Sequence, residues 1–262
     1  MPSRPMLSAA ALYLLYSCAF AEIASAAATD PAALVARYSS AQPRLWGERL
    51  PGITTTLPPN SSGAQQIALT LDACGGKRGQ SCDTAIITLL QREKLPATIF
   101  VTSAWLRNNP ESARAIADDP LFEVAAHGER HKPASVNGRS AHGLAGTASV
   151  AELIQEVEGN VRDIRQLTGR RPVWYRSGAA FYDETAVAVI LGLGLRIAGY
   201  SLAADEGASL GANAVAQRLG QAKNNDIILC HINRPRSGTA KGLETMLPRL
   251  KAAGFQFIRL SE

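Results

Sequence analysis

The chain has 262 residues, of which 46% are hydrophobic and 19% charged, and its formal net charge is +5. This length can bury a sizeable core, either as one domain of α/β-barrel size or as two small domains. The composition is that of an ordinary globular protein, and the sequence has no basic stripe interleaved with aromatic residues, which argues against a nucleic-acid partner.

The first 26 residues have the layout of a secretory signal peptide. Arg4 precedes an apolar run over 7–20, and small residues at 24–26 offer a cleavage site. The run is too short to span a membrane, so we predict export to the periplasm or the exterior, with no integral membrane span after cleavage. The sequence before Cys18 also resembles a lipoprotein box, but the bulky Tyr16 fits it poorly, and we favour cleavage over lipid anchoring.

Three cysteines remain after cleavage: Cys74, Cys82 and Cys230. In an oxidising compartment Cys74 and Cys82 are close enough in sequence to form a disulfide, which would stabilise the fold by about 2–3 kcal/mol. Cys230 is then predicted to be a buried thiol. Metal binding by these thiols is the competing interpretation, and export argues against it.

Residues 27–64 are rich in Pro, Ser and Thr and are predicted to form an extended arm that packs on the domain around Trp46. From residue 65 onward, strands and helices alternate without a linker. In chain order we predict strand 66–72, helix 83–92, strand 97–101, helix 111–117, strand 122–126, helix 150–167, strand 173–176, helix 183–191, strand 195–200, helix 213–222, strand 226–231, helix 239–252 and strand 255–260.

Seven strands that alternate with six helices predict one α/β domain over 65–262, with a parallel sheet closed or nearly closed into a barrel. A flat doubly wound sheet is the alternative. Such a sheet usually has a phosphate-binding glycine loop after its first strand, and Gly75 and Gly76 do not match that pattern.

Chemically reactive side chains stand at or just after the predicted carboxyl ends of strands, where barrel enzymes place their active sites. In chain order they are Asp72, His127, Arg176, Asp205 and His231. His131 follows His127 by four residues, and two imidazoles at this spacing can bind one zinc ion when Gly128 lets the chain turn between them. Each side chain alone has a structural explanation, but their joint placement favours an active site.

These residues lie in five segments that resemble, in order and spacing, the motifs of the polysaccharide deacetylases, also called the NodB-homology or carbohydrate esterase family 4 domain. The segments are 69–72, 127–131, 175–176, Asp205 and 229–231. The resemblance covers about 65–262. It implies a distorted (β/α)7 barrel of seven parallel strands, with the helices outside, that removes N-acetyl groups from an amino-sugar glycan such as peptidoglycan, a chitin-like polymer or an exopolysaccharide.

The resemblance also implies a role for each residue. His127 and His131 hold one divalent metal ion, Zn²⁺ in preference to Co²⁺ or Ni²⁺, which polarises the acetamide carbonyl and lowers the pKa of a water molecule. Asp72 is the general base, and Arg176 keeps it ionised. His231 is the general acid for the departing amine, and Asp205 keeps His231 protonated and oriented.

One departure from the family pattern leaves the metal site incomplete. The family has two consecutive acids in its first motif, the second of them a metal ligand, and here that position is Ala73. The third ligand is then Asp83, Asp72 or water alone, with helix capping as the alternative role of Asp83. If Asp72 itself binds the metal, Glu129 or a metal-held hydroxide serves as base.

The third motif also departs from the family, since it lacks the usual proline and aromatic residue after Arg176. Phe181 and Tyr182 are near enough in sequence to line a groove. His142 is expected to be exposed or to contact substrate, and Asn233 is a candidate sugar contact. Trp105 and Trp174 are assigned to the core.

The leading hypothesis is therefore an exported, metal-dependent N-deacetylase, a hydrolase of non-peptide C–N bonds whose partner is a carbohydrate polymer. The alternative is a non-catalytic glycan-binding relative that lost a metal ligand at Ala73. A thiol redox module is disfavoured, because the chain has no Cys-x-x-Cys pair.

Overall fold

The computed structural model describes residues 28–61, 63–75 and 81–262, so the predicted signal peptide lies outside the described residues. The elements in chain order are α1 (Pro31–Tyr38), β1 (Ile53–Thr54), β2 (Gln66–Ala73), α2 (Thr84–Glu93), β3 (Ala97–Val101), α3 (Ser103–Asn108), α4 (Pro110–Asp118), β4 (Phe122–Ala126), α5 (Val150–Thr168), β5 (Trp174–Tyr175), a 3₁₀ turn (Gly178–Ala180), α6 (Glu184–Gly192), β6 (Arg196–Ala198), β7 (Leu202–Ala203), α7 (Ala212–Leu219), β8 (Ile227–His231), α8 (Thr239–Ala252) and β9 (Gln256–Phe257). Within the described ranges, no helix is both long and apolar enough to cross a bilayer.

The strands form a parallel sheet in the order β1-β6-β5-β4-β3-β2-β8-β7, and β9 pairs with β2. β6 pairs with β5, whereas β7, which is separated from β6 by three residues, pairs with β8 at the other end of the sheet. This stretch of chain therefore brings the two ends together in a distorted barrel with the helices outside. The fold class predicted from the sequence is confirmed.

Each of the seven predicted strands is present, and the structure adds the short elements α1, α3, β1 and β7. The predicted strand 195–200 ends early, at Ala198, because the chain changes its pairing partner just after this residue. Gly199 N–H donates to Thr54 O of β1 at 2.8 Å, and Ser201 N–H donates to Ile227 O of β8 at 3.0 Å. A Cβ at Gly199 would lie only 2.9 Å from Ile53 Cγ2, so glycine permits the close approach of β1 at this point.

Strand β2 separates two apolar regions. Ile67, Leu69 and Leu71 belong to the core between sheet and helices, whereas Ala68 packs inside the barrel. Side chains alternate between the two faces of a strand, so Asp72 shares the interior face of Ala68 at the carboxyl end. Ala73, the position of the missing acid, is fully buried on the helix side.

The amino-terminal arm is not entirely extended, contrary to the prediction. Asp30 caps α1 by accepting a hydrogen bond from Ala32 N–H, and Pro31 occupies the first turn, where its missing N–H costs nothing. Leu34 is 2% exposed and packs tightly against Gly192, whose added Cβ would lie 2.7 Å from Leu34 Cδ2. The Pro-rich composition concealed this short helix, although the Asp-Pro start signal was present.

We expect Leu34→Ala to lower the free energy of unfolding by about 2–5 kcal/mol, since it leaves a cavity under α1. Arg37→Ala, at an exposed position of the same helix, serves as the control and should change the stability by less than about 0.5 kcal/mol. Urea denaturation followed by circular dichroism measures both. Equal stabilities of the two variants would show that the arm does not contribute to the cooperative fold.

Candidate metal centre and active site

A buried ion pair occupies the mouth of the barrel. Arg176 follows β5, is fully buried, and donates from Nη1 to Asp72 Oδ1 at 2.7 Å. Its remaining donors reach Thr70 Oγ1 at 3.0 Å, Ala198 O at 3.1 Å and Gly199 O at 2.8 Å. Burial raises the pKa of Asp72, but the Arg176 guanidinium and nearby imidazoles outweigh it and hold the pKa below its usual range. Asp72 is therefore ionised at neutral pH.

Beside this pair, three side chains converge as possible metal ligands. The ligand atoms of Cys74, His127 and His131 lie within 4.8 Å of one another. Cys74 Sγ is 3.5 Å from His127 Nε2, and Asp72 Oδ2 is 3.5 Å from the same nitrogen. Cys74 stands two residues after Asp72, so the alternation of β2 carries it to the same face while Ala73 points to the helices.

The donor set fits zinc. Thiolate and imidazole are its preferred ligands, and two ligands of one tetrahedral zinc ion lie about 3.5 Å apart, the separation of Cys74 Sγ and His127 Nε2. Burial raises the pKa of Cys74, but the charge of His131 and hydrogen bonds with the surrounding imidazoles bring it well below its usual value. The thiolate, which is the ligating form, is thus favoured.

The turn that carries the two histidines is stabilised from α5. His127 N–H and Gly128 N–H both donate to Asn160 Oδ1, at 2.9 and 3.1 Å, while Asn160 Nδ2 donates to Ser103 Oγ at 3.1 Å. His127 Nδ1 lies 2.8 Å from Arg176 O, which fixes the ring and leaves Nε2 facing Cys74. The sequence did not identify Asn160, although a buried amide on the apolar stripe of a helix was a usable signal.

Glu156 supports the same turn one helical turn earlier. Its buried carboxylate accepts from the backbone N–H groups of Arg130 and Lys132 at 2.8 and 3.1 Å. Gly128 has φ +86°, and a Cβ there would lie 2.5 Å from Glu156 Oε1. Glycine is therefore required at this position for its conformation as well as for the close approach of Glu156.

His231 faces the cluster from β8, whose register places it directly beside Asp72. His231 Nδ1 lies 2.8 Å from Asp205 Oδ1, and Asp205 Oδ2 accepts from His231 N–H at 2.7 Å and from Thr239 Oγ1 at 2.9 Å. Burial lowers the pKa of His231, but hydrogen bonds with Asp205 and Cys74 outweigh it and hold the pKa well above its usual range. The structure thus supplies an imidazolium next to the candidate ligands.

The third ligand position is where the sequence interpretation needs correction. Asp83 is not in the cluster: it caps α2 by accepting from Ala85 N–H at 3.2 Å. Cys74 and Cys82 are free thiols rather than a disulfide. Glu129, the alternative base, packs against α5, where a Cβ at Gly159 would lie 2.8 Å from its carboxylate. Cys74, which was considered for a disulfide with Cys82 in preference to metal binding, lies instead beside the two imidazoles as a possible third ligand.

The remaining candidates divide between core and surface. Trp105 and Trp174 are buried, as assigned, and Tyr182 is buried with its hydroxyl oxygen accepting from Ser177 N–H at 2.8 Å. Asn233 is 4% exposed just beyond β8. The two side chains that reach the surface are Phe181, which is partly exposed, and His142, which is exposed.

The family model for polysaccharide deacetylases matches residues 60–198, just over half of the chain. The chain belongs to the polysaccharide deacetylase family. The matched range contains five residues of the site, namely Asp72, Cys74, His127, His131 and Arg176. Asp205 and His231 lie after the matched range.

Three known proteins are similar to this chain. The uncharacterised protein YlxY of Bacillus subtilis (strain 168) is 20% identical over 178 residues, which are 68% of this chain and 51% of that protein, so the match spans about half of its length. A wild-type family 4 pseudoenzyme from Bacillus anthracis is similar with a TM-score of 0.66 and 20% identity, over 81% of this chain and 69% of its own. The peptidoglycan deacetylase PdaC from Bacillus subtilis is similar with a TM-score of 0.62 and 20% identity, over 78% of this chain and 91% of its own. These likenesses establish a shared fold.

We expect Asn160→Ala to lower the free energy of unfolding by about 2 kcal/mol, because the buried Gly128 N–H loses its acceptor and the His127 N–H keeps only its 3.2 Å hydrogen bond to Val101 O. Zinc retention should fall with it, since the turn that carries His127 and His131 loses its support. Gln166→Ala, at an exposed amide of the same helix, is the matched control. Urea denaturation and zinc analysis would contradict the role of Asn160 if both variants behaved alike.

Proposed function

We propose that this protein is an exported, zinc-dependent N-deacetylase of an amino-sugar glycan such as peptidoglycan, a chitin-like polymer or an exopolysaccharide. The observation that carries the proposal is the convergence of three possible metal ligands with an ionised acid and a charged histidine on one barrel rim. Hydrolysis of an acetamide needs a base for water and an acid for the amine, and both are present. Family membership and the amino-terminal apolar run support the substrate class and the export.

Cys74, His127 and His131 would hold the ion, which supplies a Lewis acid for the acetamide carbonyl and for the attacking water. Asp72 uses Oδ1 to bind Arg176 and leaves Oδ2, 3.5 Å from His127 Nε2, to take the proton from that water. Arg176 keeps Asp72 in its ionised form, so the base is ready at neutral pH. The buried walls around these groups strengthen every charge interaction.

His231 performs the second half of the reaction. Its Nδ1 is bound to Asp205, so Nε2, on the side of Cys74, is the nitrogen that would give a proton to the sugar amine as the C–N bond breaks. Thr239 donates to the other oxygen of Asp205 and so fixes the carboxylate in place. Base and acid are paired in direct register on neighbouring strands, so both would reach one bound acetamide.

A non-catalytic glycan-binding protein is the second candidate. Two observations favour it: the acid of the first motif is replaced by Ala73, and one protein of this fold is described as a pseudoenzyme. Free acetate measured after incubation of the zinc-loaded protein with N-acetylglucosamine oligosaccharides and peptidoglycan separates the two. Acetate release that is lost in His231→Ala supports the deacetylase; glycan binding without any release supports the alternative.

We expect Cys74→Ala to bind zinc more than about 100-fold more weakly than the wild type, since even residues that only orient ligands contribute about 10–100-fold to metal affinity. Acetate release should fall in parallel. Cys82→Ala is the matched control, because burial raises the pKa of Cys82 to about 11 and its thiol contacts Ser112 instead of the site. Elemental analysis after dialysis measures the bound zinc. Full zinc content in Cys74→Ala would exclude the thiol as a ligand.

We expect Asp205→Asn to move the alkaline limb of the pH profile of kcat/KM to lower pH. The Asp205 carboxylate raises the pKa of His231, so its removal lets His231 lose its proton, and with it the acid function, at a lower pH. Thr239→Ser retains the hydroxyl and should leave the limb in place. An unmoved limb in Asp205→Asn, with acetate release still measurable, would rule out His231 as the titrating acid.

A further inference from the structure

One group of aromatic side chains has no role in the chemistry described so far. Trp46, Phe181 and His142 form a row in which the centroids of Trp46 and Phe181 are 5.5 Å apart and those of Phe181 and His142 also 5.5 Å. Trp46 and Phe181 are partly exposed and His142 is exposed. We call these three side chains the aromatic row. It joins the amino-terminal arm, the loop after β4 and the segment after β5.

The arm beside Trp46 is fixed by polar groups of the domain. The Arg139 guanidinium donates to Pro43 O at 3.1 Å and to Leu45 O at 2.8 Å. The Glu184 carboxylate accepts from Leu45 N–H at 2.9 Å. The backbone next to the partly exposed Trp46 is therefore already ordered. A ligand that binds to Trp46 would cause only a small further loss of conformational entropy in the protein.

Backbone hydrogen bonds connect the aromatic row to the metal centre. Gly47 and Tyr182 exchange two hydrogen bonds at 3.0 Å, and Ala134 N–H donates to Phe181 O at 2.9 Å. Ala134 lies three residues after His131, and a Cβ on Gly178 would lie 2.1 Å from His131 O. The backbone that carries Trp46 and Phe181 is thus bonded to the segment that directly follows His131.

The arm continues along the same rim past the aromatic row. The Glu48 carboxylate hydrogen-bonds the Tyr200 hydroxyl. Tyr200 follows Gly199, whose carbonyl accepts from Arg176 Nη2 at 2.8 Å. Residues 43–48 therefore border the barrel mouth from the side of His131 to the side of Arg176.

A pyranose ring has C–H groups on its face and hydroxyls at its edge. Aromatic faces carry negative charge density and attract such C–H groups, and mixed walls of aromatic and polar groups are typical of small-molecule sites. We propose that Trp46, Phe181 and His142 form a subsite that binds a second sugar of the glycan, next to the residue whose acetamide reaches the metal. The subsite rests on the proposed function, and Trp46 lies outside the residues 60–198 matched by the family.

The test compares Trp46→Ala and Phe181→Ala with the wild type in the zinc-loaded chain. Calorimetry with the tetramer of β-1,4-linked N-acetylglucosamine should show a Kd about tenfold higher in each variant, the change expected from the loss of one ring contact. Hydrolysis of p-nitrophenyl acetate, which is too small to reach the row, should be unchanged. KM for acetate release from the tetramer should rise while kcat stays within about twofold.

Two further variants guard against a folding defect. Leu45→Ala removes a neighbouring apolar side chain that is 50% exposed, and it should bind the tetramer like the wild type. Trp46→Phe retains a ring and should restore most of the affinity. Wild-type affinity in Trp46→Ala and Phe181→Ala, or no binding of the tetramer to the wild type, would overturn the subsite. A wild type that binds the tetramer but releases no acetate would contradict the deacetylase alone, because the Kd comparison would still decide on the subsite.

Discussion

The buried guanidinium of Arg176 is the interaction on which the rest of the barrel mouth depends. It spans the interior from β5 to the side chains of β2 and the carbonyls at the end of β6, and its own carbonyl lies against His127 Nδ1. Removing one partner of such a pair costs about 3–5 kcal/mol, because the other charge is left buried and uncompensated. The same contacts that join three strands thus keep Asp72 ionised and orient the ring of His127, so substitutions of Arg176 are expected to change stability and the proposed chemistry together.

The thiol of Cys74 stands beside the two imidazoles although the neighbouring position 73 carries no acid. Position 73 points into the helix-side core, where alanine packs without a polar group to satisfy. The next residue returns to the barrel face and places a softer donor near the two imidazoles. Thiolate favours zinc over the hard cations that carboxylates bind well, so this donor set would be more selective among metals than one with a carboxylate in place of the thiol.

The sequence contained most of the fold, because strand–helix alternation and the polar residues at strand ends are local patterns. Asp72, His127, Arg176 and His231 were identified since they end apolar runs, and the structure brings them together. What could not be predicted depends on tertiary contacts. The role of Cys74 requires knowing which face of β2 it occupies, and the role of Asn160 requires the docking of α5 against the turn after β4. The helix α1 was not predicted because the arm is rich in proline, serine and threonine, although the capping signal of α1 was present in the sequence.

The central position of β2 has a consequence for the order of folding. Its partners β8 and β9 come near the end of the chain, and Thr70 Oγ1 donates to a carbonyl 158 positions later. Such distant pairing requires a large loss of loop-closure entropy before the strand contacts stabilise the chain. The chain is therefore expected to fold slowly and as a whole. The carboxylate of Asp72 and the imidazole of His231 meet only when nearly all residues are available, and no amino-terminal fragment can assemble the reactive rim in advance.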